Sequence, residues 1–154
     1  SLFLMNEAIH TNNKELLEKA LNILKWSLDI GWDKEYGGIY YFRDVYNRPC
    51  EQLEHDMKLW WVHNEAIIAT LLAYKLTKDQ FYLDWYNKVK EYSFSHFGDK
   101  EFGEWYGYLH RDGSVSHTQK GSLWKGPYHL PRCLILVQKI LDSIIEDNPK
   151  VDLL

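Results

Sequence analysis

The chain has 154 residues, 24 of them aromatic (7 Trp, 11 Tyr, 6 Phe), with 18 basic and 22 acidic residues and a formal net charge of -4. That length suffices for one domain with a real core, and 45% hydrophobic content with both signs of charge interspersed excludes a disordered chain. A pI near 5.9 leaves no electrostatic footprint for nucleic acid, and no apolar run approaches the ~20 residues of a membrane span. No charged-then-apolar N-terminal segment reads as a secretion signal. Cys50 and Cys133 are too far apart to suggest a disulfide framework or a zinc-ligand spacing, and they suit a reducing, cytoplasmic compartment. The chain opens on Ser1 rather than Met, and Leu2-Phe3-Leu4-Met5 reads as the inside of a helix, so a piece of something longer is expected.

Residues 1–9 read as the tail of a buried helix, followed by a turn with capping residues at Thr11-Asn12-Asn13. From Lys14 to Ile30, Leu17, Leu21, Leu24 and Leu28 recur at helical spacing, which predicts an amphipathic helix stopped by Gly31. Residues 33–38 turn into a short aromatic strand, Ile39-Tyr40-Tyr41-Phe42. Residues 45–56 form a polar loop. Lys58 to Leu76, apolar on nearly all sides, predicts a buried helix, and Asp79 to Phe97 a helix with a mixed surface. Phe102 to Val115 is rich in Gly and aromatics and contains a hairpin-type turn at Arg111-Asp112-Gly113. Gly121 to Pro127 is loop, Tyr128 or Leu130 to about Ile145 is the last helix, and the tail after Asn148-Pro149 is expected to fray.

An internal repeat runs through this order. Asp33-Lys34-Glu35-Tyr36-Gly37 returns 66 residues later as Asp99-Lys100-Glu101-Phe102-Gly103, and Leu59-Trp60 returns 64 residues later as Leu123-Trp124. Repeats of this kind stack supersecondary units that bury their faces against one another. Alternating buried and amphipathic helices then imply two layers, the apolar helices inside.

At the 64-residue offset Glu65 corresponds to His129, each five residues after a tryptophan and each near the start of a buried helix. A carboxylate and an imidazole in an aromatic pocket can do acid/base work, and aromatic rings stack on sugar faces. Either group can also be structural, Glu65 in a salt bridge to a neighbouring helix and His129 in a hydrogen bond near its helix start. His63, two positions from Glu65, falls on roughly the opposite side of its helix. His55 and Asp56 pair without a third ligand at metal spacing, so no metal is expected. His10, His96 and His117 look like surface or loop residues. No Gly-rich loop cradles a phosphate. Cys133, one turn beyond His129, is expected to pack as a small apolar side chain.

Four blocks carry a resemblance. Residues 37–42 (Gly37 to Phe42), 52–66 (Gln52 to Ala66), 103–108 (Gly103 to Tyr108) and 125–134 (Lys125 to Leu134) resemble, in this order, the C-terminal part of the N-acylglucosamine 2-epimerase family, which includes renin-binding protein. The resemblance covers essentially the whole chain and implies an all-α fold: residues 1–154 as a single domain, the C-terminal portion of an (α/α)6 barrel with short β-hairpins in its loops. It implies interconversion of N-acetylglucosamine and N-acetylmannosamine, in which the ring opens, a base removes the C2 proton and an acid returns one on the other face. His129 matches the second of the family's two catalytic histidines, and Glu65 a glutamate that helps to bind and polarise the sugar. Trp61 and Trp124 match aromatic wall positions, and Arg132 stands as support for the histidine. The first histidine would fall a few residues ahead of Ser1, in a missing N-terminal part of the barrel. The resemblance also implies a homodimer and ATP or another nucleotide as an activator that is not consumed. An aldose-ketose isomerase, a cellobiose-type 2-epimerase or a non-catalytic carbohydrate- or protein-binding member stay open as alternatives on the same barrel.

Overall fold

A third helix buried on almost every side organises the molecule. In the computed structural model, which describes residues 1–147, the helices are α1 (Leu2–His10), α2 (Lys14–Gly31), α3 (Trp60–Thr77), α4 (Gln80–His96) and α5 (His129–Ile145). Helix α3 packs against α1, α4 and α5, while α2 packs mainly on α1. Thus α1, α3 and α5 form one layer, with α2 and α4 against its other side. Ile68, Leu72 and Ala73 of α3 are fully buried together with Met5, Val89 and Ile140. Helix α2 buries Ala20, Leu24 and Leu28, with Leu17 and Leu21 packed beside them, as its leucine spacing predicts. Asn13 caps α2 through the Leu16 N–H, and Asp79 caps α4 through the Phe81 N–H.

Two predicted elements differ. Residues 39–42 are not a strand: Ile39 makes a single bridge to Trp32, and the Tyr41 and Phe42 N–H groups donate to the Met57 and His55 carbonyls. Gly37 and Gly38 both sit at positive φ, which closes the turn so tightly that the segment is handed on at once to the 55–57 loop. The helix predicted from Lys58 begins instead at Trp60, because Lys58 and Leu59 form strand β1 (Lys58–Leu59), antiparallel to β2 (Tyr108–Leu109). The Arg111-Asp112-Gly113 turn forms as expected, with the His110 N–H donating to the Ser114 carbonyl. The expected fraying tail lies outside the described residues.

The repeat is real at its first landmark. In each copy the aspartate carboxylate accepts two backbone N–H groups, from Glu35 and Tyr36 at Asp33 and from Glu101 and Phe102 at Asp99. Each copy also closes with the aspartate N–H on the carbonyl five residues ahead and binds a lysine, Lys58 on Asp33 and Lys120 on Asp99. The second landmark fails. Leu59 and Trp60 are buried, whereas Leu123 and Trp124 are 88% and 78% exposed in a loop, and the helix starts lie at Trp60 and His129, 69 residues apart. Pro131 explains the slip. It lacks an N–H and is tolerated only in a helix's first turn, so α5 starts at His129, whereas Ile67 at the matching place in α3 imposes nothing.

His63 is fully buried. Its Nε2 accepts the Ile39 N–H at 2.9 Å and its Nδ1 donates to the Leu59 carbonyl at 2.8 Å. Burial first, then nearby cationic groups, lower its pKa to about 3, so it is a neutral brace.

Candidate active site

Helices α3 and α5 meet with their N-terminal turns side by side. On α3, Glu65 lies one turn after Trp61, on the same face. On α5, His129 is the first residue and Arg132 follows one turn later. The Glu65 carboxylate oxygen Oε1 accepts from His129 Nδ1 at 3.0 Å and from Arg132 Nη1 at 2.7 Å. A carboxylate only accepts, so the imidazole proton is held on Nδ1 and the Nε2 lone pair is left free. Arg132 is always charged and neutralises the carboxylate from the other side. All three side chains are between 20% and 29% exposed, and of the three His129 lines the aromatic cavity.

His129 opens onto a cavity of about 550 Å³, within the size range of small-molecule sites. Tyr41, Trp60, Trp61, Tyr108 and Trp124 wall it, and Glu54 stands at its rim. The Trp61 ring lies 5.8 Å from the His129 ring, tilted by 35°, and Tyr41 meets Trp61 edge-on at 6.0 Å. The five predicted residues therefore come together: His129, Glu65 and Arg132 in direct contact, Trp61 and Trp124 on the wall. Glu65 and His129, which the offset pairs, are in addition direct hydrogen-bond partners. Cys133, directly after Arg132, is buried, and burial followed by the Glu65 charge pushes its thiol up to about 12, so it is an inert packing residue. No group of three metal-ligating side chains exists among the described residues, and no helix there is long and apolar enough to cross a membrane.

Tyr41, Glu54 and Tyr108 escape sequence reasoning. Each sits in a block whose composition is suggestive, yet only the β1–β2 pairing and the Tyr41 N–H bond to Met57 bring them to one cavity. A second cluster escapes it entirely. Asp33, 1% exposed, bonds the fully buried Lys58 at 2.9 Å and Arg111 Nε at 3.0 Å, while Arg111 reaches Glu35 at 2.8 Å. The Lys58 ammonium lies 3.9 Å from the Tyr40 ring centre. This cluster holds the backbone immediately before Trp60 and Trp61 and so sets where α3 starts.

Comparison with known proteins gives the family. Residues 2–133 match the family model described as N-acylglucosamine 2-epimerase (GlcNAc 2-epimerase). The chain is 42% identical over 144 residues to N-acylglucosamine 2-epimerase of Bos taurus, covering 93% of this chain and 34% of that one. It is 41% identical over 145 residues to the Mus musculus protein of the same name, covering 94% and 35%. The chain thus spans about a third of the length of these relatives. Among solved structures, a D-mannose isomerase superposes with a TM-score of 0.79 at 26% identity, over 91% of this chain and 35% of that one. The two helical layers are part of an (α/α)6 barrel of the sugar epimerase type. The chain belongs to the N-acylglucosamine 2-epimerase family.

Proposed function

We propose that this chain forms one wall of the active site of a sugar 2-epimerase that interconverts N-acetylglucosamine and N-acetylmannosamine. The observation that carries the reading is the His129–Glu65–Arg132 constellation, which leaves one imidazole nitrogen free at an aromatic cavity. The C2 proton of the ring-opened sugar is acidified by the neighbouring aldehyde carbonyl. His129 Nε2 removes that proton, or returns one, on its own face of the carbon. Glu65 keeps the imidazole in the required tautomer and offsets the charge when both nitrogens are protonated, as a carboxylate does behind a catalytic histidine elsewhere. Arg132 keeps Glu65 in place. Trp61, Trp124 and Tyr41 offer faces on which the sugar chain stacks.

Inversion at C2 needs a second proton-transfer group on the opposite face. Among the described residues lining the cavity, His129 is the one histidine. The resemblance supplies the other from the part of the relatives that this chain does not span. The same reading takes the protein as a cytoplasmic homodimer that consumes no cofactor, with a nucleotide acting at most as an activator.

An aldose-ketose isomerase is the second reading, and the D-mannose isomerase superposition favours it. It shares the C2 deprotonation but returns the proton at C1. Product analysis of the full-length gene product separates the two. N-acetylmannosamine is expected to give N-acetylglucosamine. Mannose turning to fructose, with the N-acetyl sugar untouched, would replace the epimerase reading.

A further inference from the structure

The loop that brings Trp124 to the cavity has no apolar anchor of its own, since Leu123 and Trp124 are both largely exposed. What holds it is Lys125, whose side chain is 4% exposed. The Lys125 ammonium donates to Glu104 Oε1 at 3.0 Å and to the Lys120 carbonyl at 2.9 Å, and it lies 5.9 Å from the ring centre of Trp60 on the cavity floor. The path of the lysine stem runs over Gly107. A Cβ there would come within 2.8 Å of Lys125 Cδ, so a larger residue would displace the lysine stem. Around the same lysine the backbone is stitched: the Ser122 N–H donates to the Lys125 carbonyl, and Ser122 Oγ accepts from the Trp124 and Lys125 N–H groups. Glu104 is itself fixed, because Oε1 also accepts the Trp105 N–H at 2.8 Å.

We propose that Lys125 is a positioning residue for substrate binding: buried against Glu104 in the space left by Gly107, it holds the 120–128 loop so that Trp124 closes the sugar cavity. The proposal rests on the epimerase reading and adds to it a determinant of substrate grip that is separate from proton transfer. Glu65 and Arg132 orient His129 without help from this strut. Loss of the strut therefore loosens the wall and leaves the base intact.

The test is Lys125→Met, which keeps the stem and removes the charge, in the full-length gene product. Amide hydrogen exchange across residues 120–126, measured without sugar, is expected to speed up by about tenfold or more. KM for N-acetylmannosamine is expected to rise about tenfold, with kcat within about threefold and its pH profile unmoved, the pattern of lost uniform binding. In a Trp124→Ala background the same lysine change adds nothing further to KM, because both act through one wall. Glu104→Gln, which still offers an oxygen to Trp105 and Lys125 but removes the charge from the other end of the strut, is expected to raise KM in the same direction by a smaller factor than Lys125→Met, and an unmoved kcat in both variants guards against a fold defect. Unchanged exchange in Lys125→Met overturns the strut. A cost that persists in full without Trp124, or a fall in kcat with KM untouched, overturns the positioning role. If the wild type turns over no N-acetyl sugar, it is the epimerase reading that fails, and the exchange arm with tryptophan quenching by the sugar still judges the strut.

Discussion

Replacing His129 with Asn is expected to lower turnover at C2 by about 10²-fold or more, the usual contribution of a positioned general base. The asparagine can still donate an N–H toward Glu65, so the Glu65–Arg132 pair keeps a partner. It has no lone pair matched to neutral pH to take up a proton. Little stability is at stake, because His129 is 29% exposed and is not the N-cap of α5, which is Tyr128. The aromatic wall is also intact, so sugar affinity is expected to stay within a few-fold. Steady-state kinetics beside tryptophan quenching by the sugar separates the two quantities. Wild-type turnover in this variant would remove His129 from the chemistry. Weakened affinity in a protein that never turned over would point instead to a binding member of the family.

Lys58→Met is expected to cost up to about 3–5 kcal/mol of folding stability, the upper limit being the penalty for a buried charge that has lost every partner. Lys58 is fully buried and Asp33 is 1% exposed, so water cannot take the place of the missing ammonium. Arg111 would remain on Asp33 and softens the loss without closing the gap. The double change Asp33→Asn with Lys58→Met is expected to be less costly than the sum of the two single changes, since no orphan charge remains. Denaturant unfolding of the four proteins measures this cycle, and strict additivity would show that the pair is not coupled. The same cluster sets an acid limit. Burial opposes the charge on Asp33, but hydrogen bonds from Lys58, Arg111, the Glu35 N–H and Tyr40 outweigh it and hold the carboxyl well below the carboxylate range. A carboxyl depressed in the folded state contributes its full stability above its ordinary pKa of 3.8 and loses it as the pH falls below that value. Lys58→Met is accordingly expected to unfold over a flatter acid range than the wild type.

Helices and site residues were legible in this sequence for different reasons. Helix α3 reads as buried because apolar residues surround it, and α2 reads as amphipathic because its leucines recur at helical spacing. The aspartate turns read as a repeat because their chemistry is local: one carboxylate and the N–H groups two and three residues on. Glu65 and His129 came from the internal repeat, and their roles, with Arg132, from a resemblance in dense blocks. The offset that pairs Glu65 with His129 singled out two side chains that the structure brings into direct contact. Pro131 moves the start of α5, and the two side chains end up bonded across a helix pair. The Asp33–Lys58–Arg111 cluster was out of reach because its members lie 25 and 78 residues from Asp33, and charged residues in loops ordinarily read as solvated. Residues 39–42 misled through their β-branched and aromatic composition. Whether such a run becomes a strand depends on a neighbouring edge, and here the Gly37-Gly38 turn and the 55–57 loop leave none.

The central claim is that this cavity exchanges the proton at C2. Proton NMR of N-acetylmannosamine in D2O with the full-length gene product tests it most directly, following the C2 signal as N-acetylglucosamine appears. The C2 proton of the product is expected to be replaced by deuterium, and the His129→Asn change to slow this replacement about 10²-fold or more. Product formed with its original C2 proton retained, or sugar bound at the cavity with no exchange at C2 at all, would contradict it.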